Sequence, residues 1–172
     1  MKRTLGLIAV SVGLVGVTVA GDASAVYMVH SGMLCVPENE GPYALAGLPT
    51  WGSSFDMMNA HQVNPLGINC PIPRNNMSYH LQELRIWADN NNDTTNLTCK
   101  AYLFDEWGAA VWSSTTVNVP HNTRTAITWT MSSPYSYYNY HFYSVDCTLP
   151  PAEGGYAYDR SAILGFDIEE QP

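Results

Sequence analysis

Apolar and polar residues alternate in one segment after another over the second half of this chain. Residues 84–89 read Leu-Arg-Ile-Trp-Ala-Asp, and residues 97–104 (LTCKAYLF) repeat the pattern. A period of two is typical of strands with one buried face, and no segment after residue 25 shows the period of an amphipathic helix. Turn-forming residues separate these segments. The pattern predicts an all-β fold: a single antiparallel β-sandwich of the jelly-roll or immunoglobulin-like type.

The same alternation predicts where the strands lie. Strands are expected over residues 26–36, 78–89, 97–104, 109–119, 123–131, 137–149 and 160–168. Ile127 and Trp129 are expected to share one face of their strand. The stretch from about 37 to 75 is rich in Gly, Pro and Asn, so we expect it to be mostly loop, with a strand near residues 52–58.

The first 25 residues have the pattern of a secretory signal peptide. Lys2 and Arg3 precede an apolar run from Leu5 to Ala20, and residues 23–25 (Ala-Ser-Ala) form a small-x-small cleavage pattern. The run is shorter than the roughly 20 residues that span a bilayer. We therefore expect a secreted or periplasmic protein whose mature chain, residues 26–172, is one domain without a transmembrane segment.

The charge of the mature chain excludes one class of partner. The whole sequence has 7 Lys+Arg and 15 Asp+Glu; without Lys2, Arg3 and Asp22 these become 5 and 14, a net charge of −9. An acidic surface with few lysines repels nucleic acid and anionic lipid. Nucleic-acid binding is therefore not expected.

Four cysteines become candidate disulfides in an exported chain. Cys35, Cys70, Cys99 and Cys147 allow three pairings, and no CxxC pair suggests a zinc site. We favour Cys35–Cys70, which would tie the irregular N-terminal region to the body, and Cys99–Cys147, which would join two long strands.

Catalytic signatures are missing from the sequence. It has no GxSxG elbow, HExxH motif, phosphate-binding loop or dinucleotide fingerprint, and its five histidines are scattered singly. Disulfide formation would remove every thiol nucleophile. Asp105 and Glu106 are candidate carboxylates for glycoside hydrolysis, but adjacent residues at a strand end point apart and a turn explains them. We predict no catalytic residues, and the interpretation leans away from an enzyme.

One Asn-rich segment has the spacing of a cation-binding loop. Asp89, Asn91 and Asp93 place an oxygen ligand at every second position, which suits calcium. However, the sixth position is Thr94 and the twelfth is Lys100, where an EF-hand loop has Gly and Glu. A tight turn between strands explains the same residues. Calcium at Asp89, Asn91 and Asp93 is kept as a hypothesis, and no other cofactor is expected.

Aromatic residues provide the main functional hypothesis. Tyr135, Tyr138 and Tyr140 lie in a segment crowded with rings, and Trp107 and Trp112 lie near a predicted hairpin end. Exposed rings stack on sugar C–H faces or anchor protein contacts. These five residues are the predicted ligand-binding set. Aromatic pairs also stabilise strands without any ligand, which is the alternative.

Several segments together carry a resemblance. Residues 69–74 (NCPIPR), 97–104 (LTCKAYLF), 143–151 (YSVDCTLPP) and 161–170 (SAILGFDIEE) follow one another in this order. The mature chain resembles a group of small, uncharacterised exported bacterial proteins with a disulfide-linked β-sandwich. The resemblance implies fold and location and brings no activity.

The sequence therefore predicts an exported, non-catalytic binding module that recognises an extracellular glycan or protein through exposed aromatic residues. One alternative is a structural or self-associating protein of an envelope or matrix. Another is a small secreted hydrolase whose active site is assembled from distant strands.

Overall fold

The structure is a computed structural model that describes residues 26–38, 44–46, 56–60, 62–76, 78–131, 141–153 and 160–171. The predicted signal peptide lies outside these residues, as do Tyr135, Tyr138 and Tyr140. No helix among the described residues is long and apolar enough to cross a membrane.

The described residues form twelve strands and one short 3-10 helix, Gly32–Leu34. The strands are β1 (Val26–Ser31), β2 (Val36–Pro37), β3 (Ala44–Ala46), β4 (Met57–Asn59), β5 (Leu66–Ile72), β6 (His80–Asn90), β7 (Leu97–Phe104), β8 (Ala110–Ser113), β9 (Val117–Val119), β10 (Thr123–Thr130), β11 (Phe142–Leu149) and β12 (Ala162–Gln171).

These strands pair into two six-stranded antiparallel sheets. In sheet 1, β10, β6 and β12 lie side by side, and β4 and β1 share the remaining edge of β12, with β3 beside β4. In sheet 2 the order is β2, β5, β11 and β7, and β8 and β9 share the outer edge of β7. The prediction of an all-β antiparallel sandwich is confirmed.

The core lies between the sheets, at the apolar positions of the alternating segments. In β7 every second residue is buried from Leu97 to Leu103, and the residues between them are partly exposed. Ile127 and Trp129 of β10 are buried on one face, as expected. Side chains at i and i+2 share a face of a strand, so each sheet contributes one row of apolar side chains per strand to the interior.

Both predicted disulfides are present in this core. Cys35 is bonded to Cys70, and Cys99 is bonded to Cys147. The second bridge links residues that lie directly opposite each other on β7 and β11. The favoured pairing of the four cysteines is confirmed.

Strand β5 lies inside the stretch that the sequence predicts to be mostly loop. Leu66, Ile68, Cys70 and Ile72 are buried at alternate positions, while the residues between them face outward. The outward positions are occupied by Gly67, Asn69 and Pro71. These residue types are turn-forming, so their composition obscured a regular inward alternation.

The alternation of β12 turns one carboxylate into the sandwich. Glu170 follows Phe166 and Ile168 at every second position, lies opposite Leu81 where the pairing with β6 is irregular, and is fully buried. Arg74 Nε donates to Glu170 Oε1 at 2.8 Å. This ion pair holds the segment that leads from β5 into β6.

Candidate functional site

Three aromatic side chains lie together on the outer face of sheet 2. Tyr102 and Phe104 are two residues apart on β7, and Phe142 lies opposite Phe104 on β11. The ring centroids are 5.7 Å apart for Tyr102 and Phe104 and 5.2 Å apart for Phe104 and Phe142, with ring planes within 26° and 14° of parallel. We call these three residues the aromatic row. Mutual stacking holds the rings in place.

The two ends of the aromatic row differ. At one end, Lys100 Nζ lies 5.0 Å from the ring centroid of Tyr102. At the other end, Phe142 is 48% exposed. An apolar groove of ≈ 240 Å³ borders that end, lined by Leu34, Pro71, Ile72, Pro73, Phe142 and Tyr143. The exposed ring and the groove together form an apolar surface open to solvent.

Polar side chains continue the same face beside the rings. Asn69 Nδ2 donates to Ser144 Oγ at 2.6 Å and to Asp146 Oδ1 at 2.5 Å. Ser144 Oγ donates in turn to the carbonyl of Cys70 at 3.4 Å. Burial raises the pKa of Asp146, while the hydrogen bond from Asn69 and the charge of Lys100 act in the opposite direction. The face therefore combines fixed rings with fixed hydrogen-bonding groups.

This combination can bind a ligand that has both C–H faces and hydroxyl groups. The rings offer apolar contact area, and the oxygens of the Asn69 amide and the Asp146 carboxylate next to them offer acceptors. Among the described residues, no group of three or more His, Cys, Asp or Glu is placed to hold a metal ion.

Neither of the two predicted tryptophans is a member of the aromatic row. Trp107 lies in the turn between β7 and β8 and is 86% exposed. Its backbone N–H donates to Asp105 Oδ1 at 3.0 Å, and Gly108 supplies the positive φ that closes the turn. Trp112 lies opposite Leu103, on the inner side of the sheet, and packs against the core.

Two of the three predicted cation ligands, Asn91 and Asp93, form hydrogen bonds to other parts of the chain. Asn91 Nδ2 donates to the carbonyl of Arg160 at 3.1 Å, and Asp93 Oδ1 accepts from Asn122 Nδ2 at 2.9 Å. Asp89 is a strand residue of β6. The calcium hypothesis at these three residues stays a prediction.

Asn90 and Asn92, which alternate with the predicted cation ligands, stabilise the loop through hydrogen bonds to the backbone. Asn90 is fully buried, and its Nδ2 donates to the carbonyls of Thr95 and Val119, each at 3.0 Å. Asn92 is 2% exposed, and its Oδ1 accepts from the backbone N–H groups of Thr94 and Thr95. These bonds satisfy backbone groups that a tight loop leaves unpaired, which supports the turn interpretation of this segment.

Sequence reasoning did not select Tyr102 and Phe104 as site residues. A signal was present, because the outward positions of β7 are Thr98, Lys100, Tyr102 and Phe104, and the last two are aromatic where a solvated face is usually polar. Phe142 lies at the C-terminal end of the aromatic-rich segment that includes Tyr135, Tyr138 and Tyr140, in the part of that segment that the structure describes.

Comparison with known proteins identifies a shared fold. No protein-family model matches the sequence, and no curated protein matches it. A solved "xylan-binding module CBM15" superposes with a TM-score of 0.51 at 13% identity, covering 86% of this chain and 97% of the module. The two share a β-sandwich fold.

Two further structures are similar at lower TM-scores. A Podospora anserina GH26-CBM35 beta-(1,4)-mannanase matches with a TM-score of 0.44 at 10% identity, covering 88% of this chain and 28% of the enzyme. Tailspike protein 4 of bacteriophage CBA120 matches with a TM-score of 0.41 at 15% identity, covering 84% of this chain and 18% of the tailspike chain. In both cases this chain spans only a minor part of the matched protein's length.

Proposed function

We propose that this protein is a non-catalytic module that binds an uncharged polysaccharide on the outer face of sheet 2. The aromatic row is the observation that carries the proposal: Tyr102, Phe104 and Phe142 stack on one another, and the row ends in an exposed ring. Pyranose rings present C–H faces that pack on aromatic side chains. Their hydroxyl groups then reach Asn69 and Asp146 on the same face.

The charge distribution supports an uncharged ligand. The chain has five Lys and Arg residues after residue 25, and all five are described. Lys100 is the one on the outer face of sheet 2, where Asp146 lies opposite it across the strand pair. The other four are Arg74, paired inside the sandwich, Arg85 and Arg124 on sheet 1, and Arg160 just before β12. An acidic polymer would meet a chain of net charge −9 with little to offset the repulsion.

The structural comparison supports the same class of ligand. A solved module that shares this fold at a TM-score of 0.51 is described as xylan-binding. The two disulfides fit an extracellular or periplasmic protein, since such bridges persist in oxidising compartments. Export through the predicted signal peptide, and membership of the exported bacterial group that the chain resembles, belong to this proposal.

Affinity electrophoresis and calorimetry against soluble polysaccharides test the proposal. We expect the protein to be retained by at least one neutral polymer among xylan, mannan and mixed-linkage glucan, and not by pectin or alginate. The double variant Phe104→Ala/Phe142→Ala should lower the affinity by about 30-fold or more, the effect of losing a central aromatic anchor worth about 2 kcal/mol.

Two variants control for folding and for surface changes. Thr148→Ala alters an exposed residue of β11 and should leave binding unchanged. Phe142→Tyr keeps a ring at the exposed end and should retain most of the affinity. Failure of every neutral polymer to bind would overturn the proposal. Concentration-dependent association that Phe142→Ala abolishes would favour the self-associating alternative instead.

A further inference from the structure

An exposed aromatic side chain also lies on the opposite side of the molecule, on sheet 1. Trp87, in the middle of β6, faces outward from sheet 1 and is 42% exposed. Its neighbours in register are Gly165 on β12 and Ala126 on β10. Because both neighbours are small, no bulky cross-strand partner covers the indole, unlike the mutually stacked rings of the aromatic row.

The indole is held in one orientation by a hydrogen bond. Trp87 Nε1 donates to Asp167 Oδ2 at 3.0 Å. Asp167 is 8% exposed, and its other oxygen, Oδ1, lies 3.6 Å from Arg85 Nη1. Arg85 also pairs with Glu83. A ring that is fixed before the ligand arrives loses little conformational freedom on binding, which favours affinity.

We propose that Trp87 is the centre of a second glycan-binding surface. A pyranose ring would stack on the exposed part of the indole, and Arg85 and Glu83 would hydrogen-bond its hydroxyl groups. The inference takes its ligand class, an uncharged polysaccharide, from the proposed function. The local charges agree with that class, because the face around Trp87 has four carboxylates, at Glu83, Asp89, Asp167 and Glu169, and two guanidinium groups, those of Arg85 and Arg124.

Two binding surfaces on the two outer faces of a sandwich point in opposite directions. One polysaccharide strand therefore cannot occupy both surfaces without wrapping around the module. The protein would instead hold two separate strands and cross-link them, with a gain in avidity on a polymer that carries many binding positions.

Stoichiometry distinguishes one surface from two. The protein from residue 26 to residue 172 is titrated by calorimetry with xylohexaose, mannohexaose and cellohexaose. We expect two hexasaccharides per chain for the wild-type protein, one for Trp87→Ala and one for Phe104→Ala/Phe142→Ala. With a long neutral polysaccharide, the wild-type protein should raise light scattering by cross-linking, and neither variant should do so.

Control variants separate a binding role from a structural one. Trp87→Phe keeps an aromatic ring and should keep part of the affinity of the second surface, while Thr128→Ala, an exposed change on the same face of sheet 1, should have no effect. A stoichiometry of one that Trp87→Ala leaves unchanged would overturn this inference while the proposed function stands. Binding that only Trp87→Ala removes would support the second surface and contradict the first, and no binding of any hexasaccharide would overturn both.

Discussion

Arg74 and Glu170 form an ion pair that is almost completely shielded from water. Their side chains are 2% and 0% exposed. Besides Arg74, Glu170 accepts hydrogen bonds from the backbone N–H groups of Asn75 and Asn76, at 3.2 and 3.1 Å. Arg74 Nη2 donates to the carbonyl of Tyr79. The pair therefore joins the end of β12 to the segment between β5 and β6.

We predict that Arg74→Met lowers the free energy of unfolding by about 3–5 kcal/mol. The variant keeps most of the side-chain volume but leaves the carboxylate of Glu170 buried without its counter-charge. The two backbone donors remain, yet the loop that presents them loses the bonds from the guanidinium. In a domain of this size, 1 kcal/mol corresponds to about 2–4 °C in Tm, so Tm should fall by about 10 °C.

Urea unfolding of a double-mutant cycle tests this reasoning. Glu170→Leu should also be strongly destabilising, because it leaves the guanidinium buried without a counter-charge. Arg74→Met/Glu170→Leu should be more stable than either single variant, since it removes both charges from the interior. If Arg74→Met stays within about 0.5 kcal/mol of the wild-type protein, the pair is not the internal anchor that its burial indicates.

Four further predictions concern other parts of the molecule. Cys99→Ser/Cys147→Ser removes a disulfide between residues 48 positions apart and should lower the free energy of unfolding, measured in urea, by about 4 kcal/mol. A decrease of less than about 1 kcal/mol, the contribution of a single hydrogen bond, would contradict the chain-entropy argument. Burial lowers the pKa of His30 below 6.5, so the unfolded chain takes up the proton first as the pH falls. The contribution of the neutral imidazole to the free energy of unfolding should therefore be complete above pH 6.5 and decrease as the pH falls below that value. His30→Phe should remove this pH dependence. The calcium hypothesis predicts that about 1 mM calcium raises Tm and that Asp93→Asn abolishes the rise; an unchanged Tm in both proteins refutes it. Trp107→Ala should leave Tm unchanged, because the side chain is 86% exposed, and a loss of polysaccharide binding in this variant would add Trp107 to the site.

Strand β7 shows what the local pattern of apolar and polar residues can predict. Its alternation predicted which residues face the core, because a strand directs successive side chains to opposite faces whatever its partners are. The same argument worked for Ile127 and Trp129 in β10. It missed β5, where turn-type residues at the outward positions of Leu66–Ile72 masked the buried alternation.

The local sequence pattern does not predict the candidate binding surfaces. Phe104 and Phe142 become neighbours only because β7 and β11 pair in one particular register, and a shift of one residue would send Phe142 to the other face. Trp87 and Asp167 are 80 residues apart, so nothing near either residue indicates their hydrogen bond. Glu170 follows Phe166 and Ile168 on the inward face of β12, but its partner Arg74 is 96 residues away, so nothing near Glu170 indicates that the carboxylate is buried in an ion pair.

The sequence by itself therefore determined the fold class, the inward face of the regular strands and a pairing of the cysteines that the structure contains. Those features follow from chain geometry over a few residues and from covalent chemistry. The tertiary structure alone decided which outward-facing rings stack, which indole is held by a carboxylate and which charge is buried. Each of these depends on strand order and register, which are set by the packing of the whole sandwich.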